Sequence, residues 1–216
     1  MTAGAFAQVP VIVGDVLDEM SGQIQYYVSP EPSTEAAYDA DVLAYFGSAQ
    51  ASEIEAEYPP SAYGGSAAET LREVMADALY ICPARRIARA LIAKTPTYRY
   101  IFEHAFDATD FPGAGSNAAC SDADLAPCGA YHFIDVPYFF HTTSPTDFAF
   151  GSDEQVLAQR AAQYLVDFAG SGDPNGSDVP AWPLYEGSDD LHLALDTTIA
   201  PYTNFRSIEC DFWDGL

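Results

Sequence analysis

Three short runs rich in β-branched, aromatic or aliphatic residues, at positions 9–14, 98–106 and 191–196, are spaced along the chain by long stretches of helical character. That alternation restricts the fold more than any other feature. Strands separated by helices pair in parallel, and a parallel sheet must be covered by helices on both faces. Val9-Pro10-Val11-Ile12-Val13-Gly14 is apolar without alternation and stops at glycine, the profile of a strand buried on both sides. The class expected is therefore α/β. Three strands are few for so many helices and would leave pairing edges open, which points to strands outside this sequence.

The helical stretches have their own signals. Residues 34–47 and 51–58 read as surface helices, ended by Pro59-Pro60. From Ser66 onward Leu71, Val74, Met75, Ala78 and Leu79 recur at helical spacing, and Pro83 is expected to open a second helix with Arg85, Arg86 and Arg89 at polar positions. Residues 154–169 form a strong amphipathic pattern cut off by the glycine-rich segment at 170–176, and 204–213 read as a terminal helix. The Gly, Asn, Asp and Pro content of residues 107–128 predicts a long loop.

Charge narrows the function classes. Eight Lys and Arg against 32 Asp and Glu give a net charge of −24, so an anionic nucleic-acid backbone is repelled over the whole surface. At 49% apolar and 13% aromatic residues, 216 residues suffice for a packed core. No run approaches the eighteen apolar residues of a membrane span. No cysteine pair has Cys-x-x-Cys spacing, so metal binding through sulfur is not expected; no metal site and no cofactor are expected. Cys120 and Cys128 bracket a short polar loop and could bridge, leaving Cys82 and Cys210 as a second pair. An even set of disulfide-type cysteines suggests an oxidising compartment, although the N-terminus lacks the pattern of a signal peptide.

Two segments hold residue types suited to proton transfer. Asp18-Glu19 closes the first strand, and His132 lies in Gly129-Ala130-Tyr131-His132-Phe133-Ile134-Asp135-Val136-Pro137-Tyr138. Further tags follow in order: Tyr80-Ile81-Cys82-Pro83, Gly172-Asp173-Pro174-Asn175, Trp182-Pro183-Leu184-Tyr185 and Cys210-Asp211-Phe212-Trp213. Together they resemble the type B carboxylesterases, the family that includes the cholinesterases, over nearly the whole chain. The resemblance implies that residues 1–216 are the C-terminal portion of one α/β-hydrolase domain, a partial, mostly parallel sheet covered by helices. It implies that Glu19 is the acid and His132 the general base of a serine triad, and that Cys82 pairs with Cys210. Asp18 is expected to cap the turn that follows it.

The nucleophile is the gap in this reading. A nucleophile elbow needs glycine two residues before and two after the serine, and in this fold it precedes the acid in chain order. Gly64-Gly65-Ser66-Ala67-Ala68 comes nearest, but it ends in alanine and follows Glu19, so it reads as a turn and helix N-cap. The expectation is a chain that supplies acid and base, depends on a front half for serine and oxyanion hole, acts on a small-molecule ester only in the full-length form, and is inactive alone. Its expected location is extracellular, secreted or periplasmic. A non-catalytic adhesion or interaction module of the same family is the alternative. Relative to the family pattern, Met20 and Phe133 stand where glycine is usual, and Asp135 where glutamate is. His104, His141 and His192 are expected to be structural.

Overall fold

The computed structural model describes residues 6–105, 129–142 and 150–216. Four strands form one sheet in the order β1 (Val11–Val16), β2 (Thr97–Phe102), β3 (His192–Leu195) and β4 (Ala200–Tyr202). The first two pairings are parallel and the last is antiparallel. The sheet is thus mostly parallel, as the alternation of strand and helix requires. β4 escaped the sequence reading because it is only three residues long, contains Pro201 and lies at the sheet edge, where a proline is tolerated. The middle run ends as a strand at Phe102 rather than continuing to 106.

Alternation along β2 sorts its side chains between two layers. Tyr98 and Phe102 join Leu157, Ala161 and Tyr164 of α6 (Ser152–Ser171) and Trp182 in one core. Trp182 is fixed by three bonds: its indole N–H donates to the Arg99 carbonyl at 3.0 Å, its backbone N–H donates to the Asn175 side chain at 2.7 Å, and its carbonyl accepts from Asn175 at 3.0 Å. Two separate landmarks of the sequence therefore hold each other.

A second core is built from helices. α1 (Glu35–Phe46), α2 (Ala51–Glu57), α3 (Ala67–Ala76) and α7 (Ser207–Gly215) pack around Tyr38, Val42, Ile54, Tyr58, Leu71 and Val74. The helices expected at 34–47 and 51–58 lie at the surface, with most of their residues exposed or half-buried, and each turns one side inward through Tyr38 and Val42 or through Ile54, all fully buried. Ser66 is the N-cap of α3, its hydroxyl accepting from the Glu69 N–H at 3.2 Å, after Gly64 and Gly65 turn the chain at positive φ. The terminal helix starts at Ser207, later than expected, because Asn204 and Arg206 adopt left-handed conformations.

Pro83 does not open a separate helix. α3 runs through a π-turn, Asp77–Ile81, directly into α4 (Cys82–Leu91). Proline has no N–H to give the carbonyl four residues back and its ring crowds that carbonyl; the wider π-turn accommodates both. Cys82 at this junction is bonded to Cys210 of α7, 128 residues away. Arg85, placed among polar positions by its sequence, is in fact 1% exposed, paired with Asp190 at 2.9 Å and Asp211 at 2.7 Å. Cys120 and Cys128, and the loop they bracket, lie outside the described residues.

Candidate active site

β1 delivers its acidic end to the histidine segment. Beyond Val16 the chain turns so that Glu19, 4% exposed, points back at its own strand and accepts the Val16 N–H through Oε1 at 2.9 Å. Its other oxygen, Oε2, lies 2.5 Å from Nδ1 of His132. The two segments are laced by backbone: the Asp18 N–H donates to the Ala130 carbonyl at 3.0 Å, and Asp18 and Tyr131 form a parallel bridge.

Asp18 has a different role from the local cap expected of it. Its carboxylate accepts the Ala130 N–H at 2.7 Å, so it clamps the histidine segment from 112 residues away. Gly129 makes the clamp possible. It sits at φ +59°, and a Cβ there would come within 2.0 Å of Asp18 Oδ2. Gly14 serves a related need on β1, where a Cβ would come within 2.0 Å of the ring of Tyr100. Tyr100 in turn donates to Asp135 at 2.7 Å and so anchors α5 (Asp135–Phe139), the helix that follows His132.

The electrostatics favour a protonatable imidazole. The hydrogen bond to Glu19 raises the His132 pKa above its ordinary value; burial opposes this, and the charges of Glu19 and Asp135 add to it. Asp135 is itself held above the usual carboxylate range, chiefly by burial. Asp15, 5% exposed and 3.4 Å from the guanidinium of the fully buried Arg99, is raised to about 7, again by burial first.

A cavity of about 370 Å³ opens beside β1, with Asp15, Glu19, Leu79, Tyr80, His132 and Phe133 in its wall. Tyr80 comes from the π-turn, and its ring centroid lies 4.9 Å from that of His132. The sequence showed Tyr80 only as part of the Tyr80-Ile81-Cys82-Pro83 tag, and nothing in its spacing brings it beside His132, which lies 52 residues further along the chain.

Two of the other histidines are tied into the scaffold. His104 bridges Asp196 at 2.7 Å and Glu154 at 3.1 Å, and His192 Nδ1 meets the Asp190 carbonyl at 3.1 Å. No group of three or more His, Cys, Asp or Glu side chains suited to a metal occurs among the described residues.

The carboxylesterase family model matches residues 1–213. The chain belongs to the carboxylesterase family. Its fold is accordingly the α/β-hydrolase fold, of which the mostly parallel four-stranded sheet and its helices form a part. Human cocaine esterase is 26% identical over 143 residues, 66% of this chain and 23% of that protein. Rat acylcarnitine hydrolase is 29% identical over 144 residues, 65% of this chain and 23% of that protein. Mouse carboxylesterase 5A is 26% identical over 154 residues, 67% of this chain and 24% of that protein. The matched region of this carboxylesterase chain spans about a quarter of the length of these relatives.

Proposed function

We propose that this chain is the C-terminal portion of a serine carboxylic-ester hydrolase domain and supplies two of its three catalytic side chains, Glu19 as the orienting acid and His132 as the general base. The observation that supports this best is the 2.5 Å contact between Glu19 Oε2 and His132 Nδ1 at the rim of a cavity. A carboxylate on Nδ1 fixes the tautomer in which Nε2 is the basic nitrogen, and it stabilises the imidazolium formed when Nε2 takes a proton from an attacking hydroxyl. The same imidazolium then returns that proton to the departing alcohol.

The serine and the oxyanion hole are assigned to sequence outside these 216 residues. Two features support the assignment. β1, which leads to Glu19, is the edge strand of the sheet among the described residues, so the acid sits beside an edge able to receive a further strand. Apolar Leu79, Ile87 and Val136 surround the cavity, each partly exposed. The chain alone therefore lacks ester turnover, and its substrate in the assembled enzyme is a small carboxylic ester. An oxidising, extracellular or periplasmic location is in keeping with the Cys82–Cys210 bond. Among the described residues no helix is long and apolar enough to cross a membrane.

Two p-nitrophenyl ester assays test this reading. With the upstream sequence restored, His132→Ala should abolish turnover; retained turnover would remove His132 from the mechanism. On the 216 residues alone no turnover is expected, and turnover abolished by His132→Ala would show that the nucleophile is already present.

A further inference from the structure

Phe133 combines three properties that folding does not explain. Its φ is +81°, a left-handed conformation that costs an L-residue with a bulky side chain and that glycine adopts freely. Its side chain is 66% exposed, so no core holds it in place. Its ring stands 5.2 Å from the His132 imidazole, at an interplanar angle of 70°. Strain retained without a packing reason is a pointer to function.

A second ring stands beside the same imidazole. Tyr80 meets the same imidazole at 4.9 Å and 54°. Its hydroxyl donates to Gln23 Oε1 at 3.2 Å and lies 3.2 Å from the Tyr27 hydroxyl, so the ring is tethered at its far end. Burial pushes the Tyr80 phenol up to about 12, which keeps it uncharged at neutral pH. His132 thus has one carboxylate at Nδ1 and two uncharged aromatic rings beside it.

We propose that Tyr80 and Phe133 are positioning residues that form an aromatic clamp on His132, stabilising its protonated form and limiting its ring rotation. This deepens the triad reading above and rests on it. The π-cloud of an aromatic ring attracts a cationic neighbour more strongly than a neutral one, and both centroids lie within the roughly 6 Å over which that attraction acts. The clamp therefore acts when His132 holds the proton taken from the nucleophile. Two charged groups bear on the same ring, Glu19 from the loop after β1 and Asp135 from α5, and Asp15 of β1 interacts with both of these carboxylates. The rings supplement these carboxylates without adding a further negative charge to the site.

The backbone strain supplies a discriminating variant. Phe133→Gly removes the ring yet suits φ +81°, so its melting temperature should equal or exceed that of the native chain. NMR titration of the 216-residue chain with carbon-13 histidine gives the readout, His132 being assigned by loss of its signal in His132→Gln. The His132 midpoint should fall by about 0.5 pH unit, roughly threefold in proton affinity, in Phe133→Gly. Phe133→Leu, which keeps bulk without a ring, should show the same fall, as should Tyr80→Leu. A midpoint unchanged in Phe133→Gly, or restored by leucine, overturns the clamp. Failure of the clamp leaves the triad assignment standing, whereas turnover surviving His132→Ala removes the triad assignment without altering the NMR result.

Discussion

Glu19 divides its two oxygens between a strand and a histidine: Oε1 accepts the Val16 N–H at 2.9 Å while Oε2 sits 2.5 Å from His132 Nδ1. The strand bond sets the direction of the carboxylate, so Glu19 is held toward the imidazole by the fold itself. Glu19→Gln separates the two roles. Its amide oxygen can still accept from Val16, but its NH2 facing Nδ1 selects the wrong tautomer. In the assembled enzyme kcat should drop by about 10⁴ with little change in melting temperature. A kcat within tenfold of the native value would take the orienting role away from Glu19.

Gly129→Ala should be disruptive well beyond its one added carbon. The new Cβ would lie 2.0 Å from Asp18 Oδ2, at a φ of +59°. A cost of about 1–3 kcal/mol is expected from such strain, read by urea denaturation. Asp18→Ala removes the clashing group, so the double variant should cost less than the sum of the two single changes. Simple additivity would show that the clamp between Asp18 and Ala130 is not what constrains Gly129.

Stability should fall as pH rises from 4 to 8. Asp15 and Asp77 have ordinary values of 3.8, and both are raised to about 7 in the fold by burial. Between those values the folded chain holds protons that the unfolded chain has released, so raising the pH favours unfolding. The raised pKa of His132 acts in the same sense: its contribution is complete below 6.5 and is lost as pH climbs through the folded value. Denaturant midpoints at pH 5 and pH 8 measure the slope. Asp15→Asn should flatten it, and a slope that Asp15→Asn leaves unaltered would exclude Asp15 as a contributor.

Reduction should loosen the second core first. The Cys82–Cys210 bond closes a loop of 128 residues and ties the π-turn junction to α7. Losing a loop of that length costs about 4–5 kcal/mol in the chain-entropy account. Hydrogen exchange in dithiothreitol should speed up in α7 before β2, whose Tyr98, Ile101 and Phe102 are all buried. Simultaneous loss of protection in both would argue against a local role for the bond.

Added salt should raise the melting temperature. Among the described residues Arg72, Arg85, Arg86, Arg89, Arg99 and Arg206 are paired with carboxylates, so most of the positive charge is already neutralised locally. The remaining acidic groups repel one another, and screening relieves that repulsion. Melting in 0.1 M and 1 M potassium chloride tests this; a decrease would mean that the ion pairs outweigh the repulsion.

Local pattern carried the sequence reading where single elements decide the outcome. β1, β2 and β3 were legible because β-branched and aromatic runs bounded by glycine, proline and aspartate have few alternatives, and Ser66 was legible as a cap because its two preceding glycines and the helical period after it agree. What could not be read depends on partners far apart in the chain. Asp18 resembles a turn cap until Ala130 is brought beside it. Arg85 resembles a surface residue until Asp190 and Asp211 enclose it. The π-turn leaves no trace in the spacing, because one inserted residue between two regular helices shifts their faces without interrupting either pattern. Phe133 was visible as a departure from glycine, but only its positive φ shows that the departure is held at a cost.

The position of β1 has a consequence for handling the polypeptide. Among the described residues Val11-Ile12-Val13 lies on an edge strand, with Pro10 before it and no lysine along it to deter a newcomer. Such an edge can template strand addition, so at high concentration these 216 residues should self-associate along β1 despite their mutual charge repulsion, and the segment that aims the acid doubles as the main aggregation hazard.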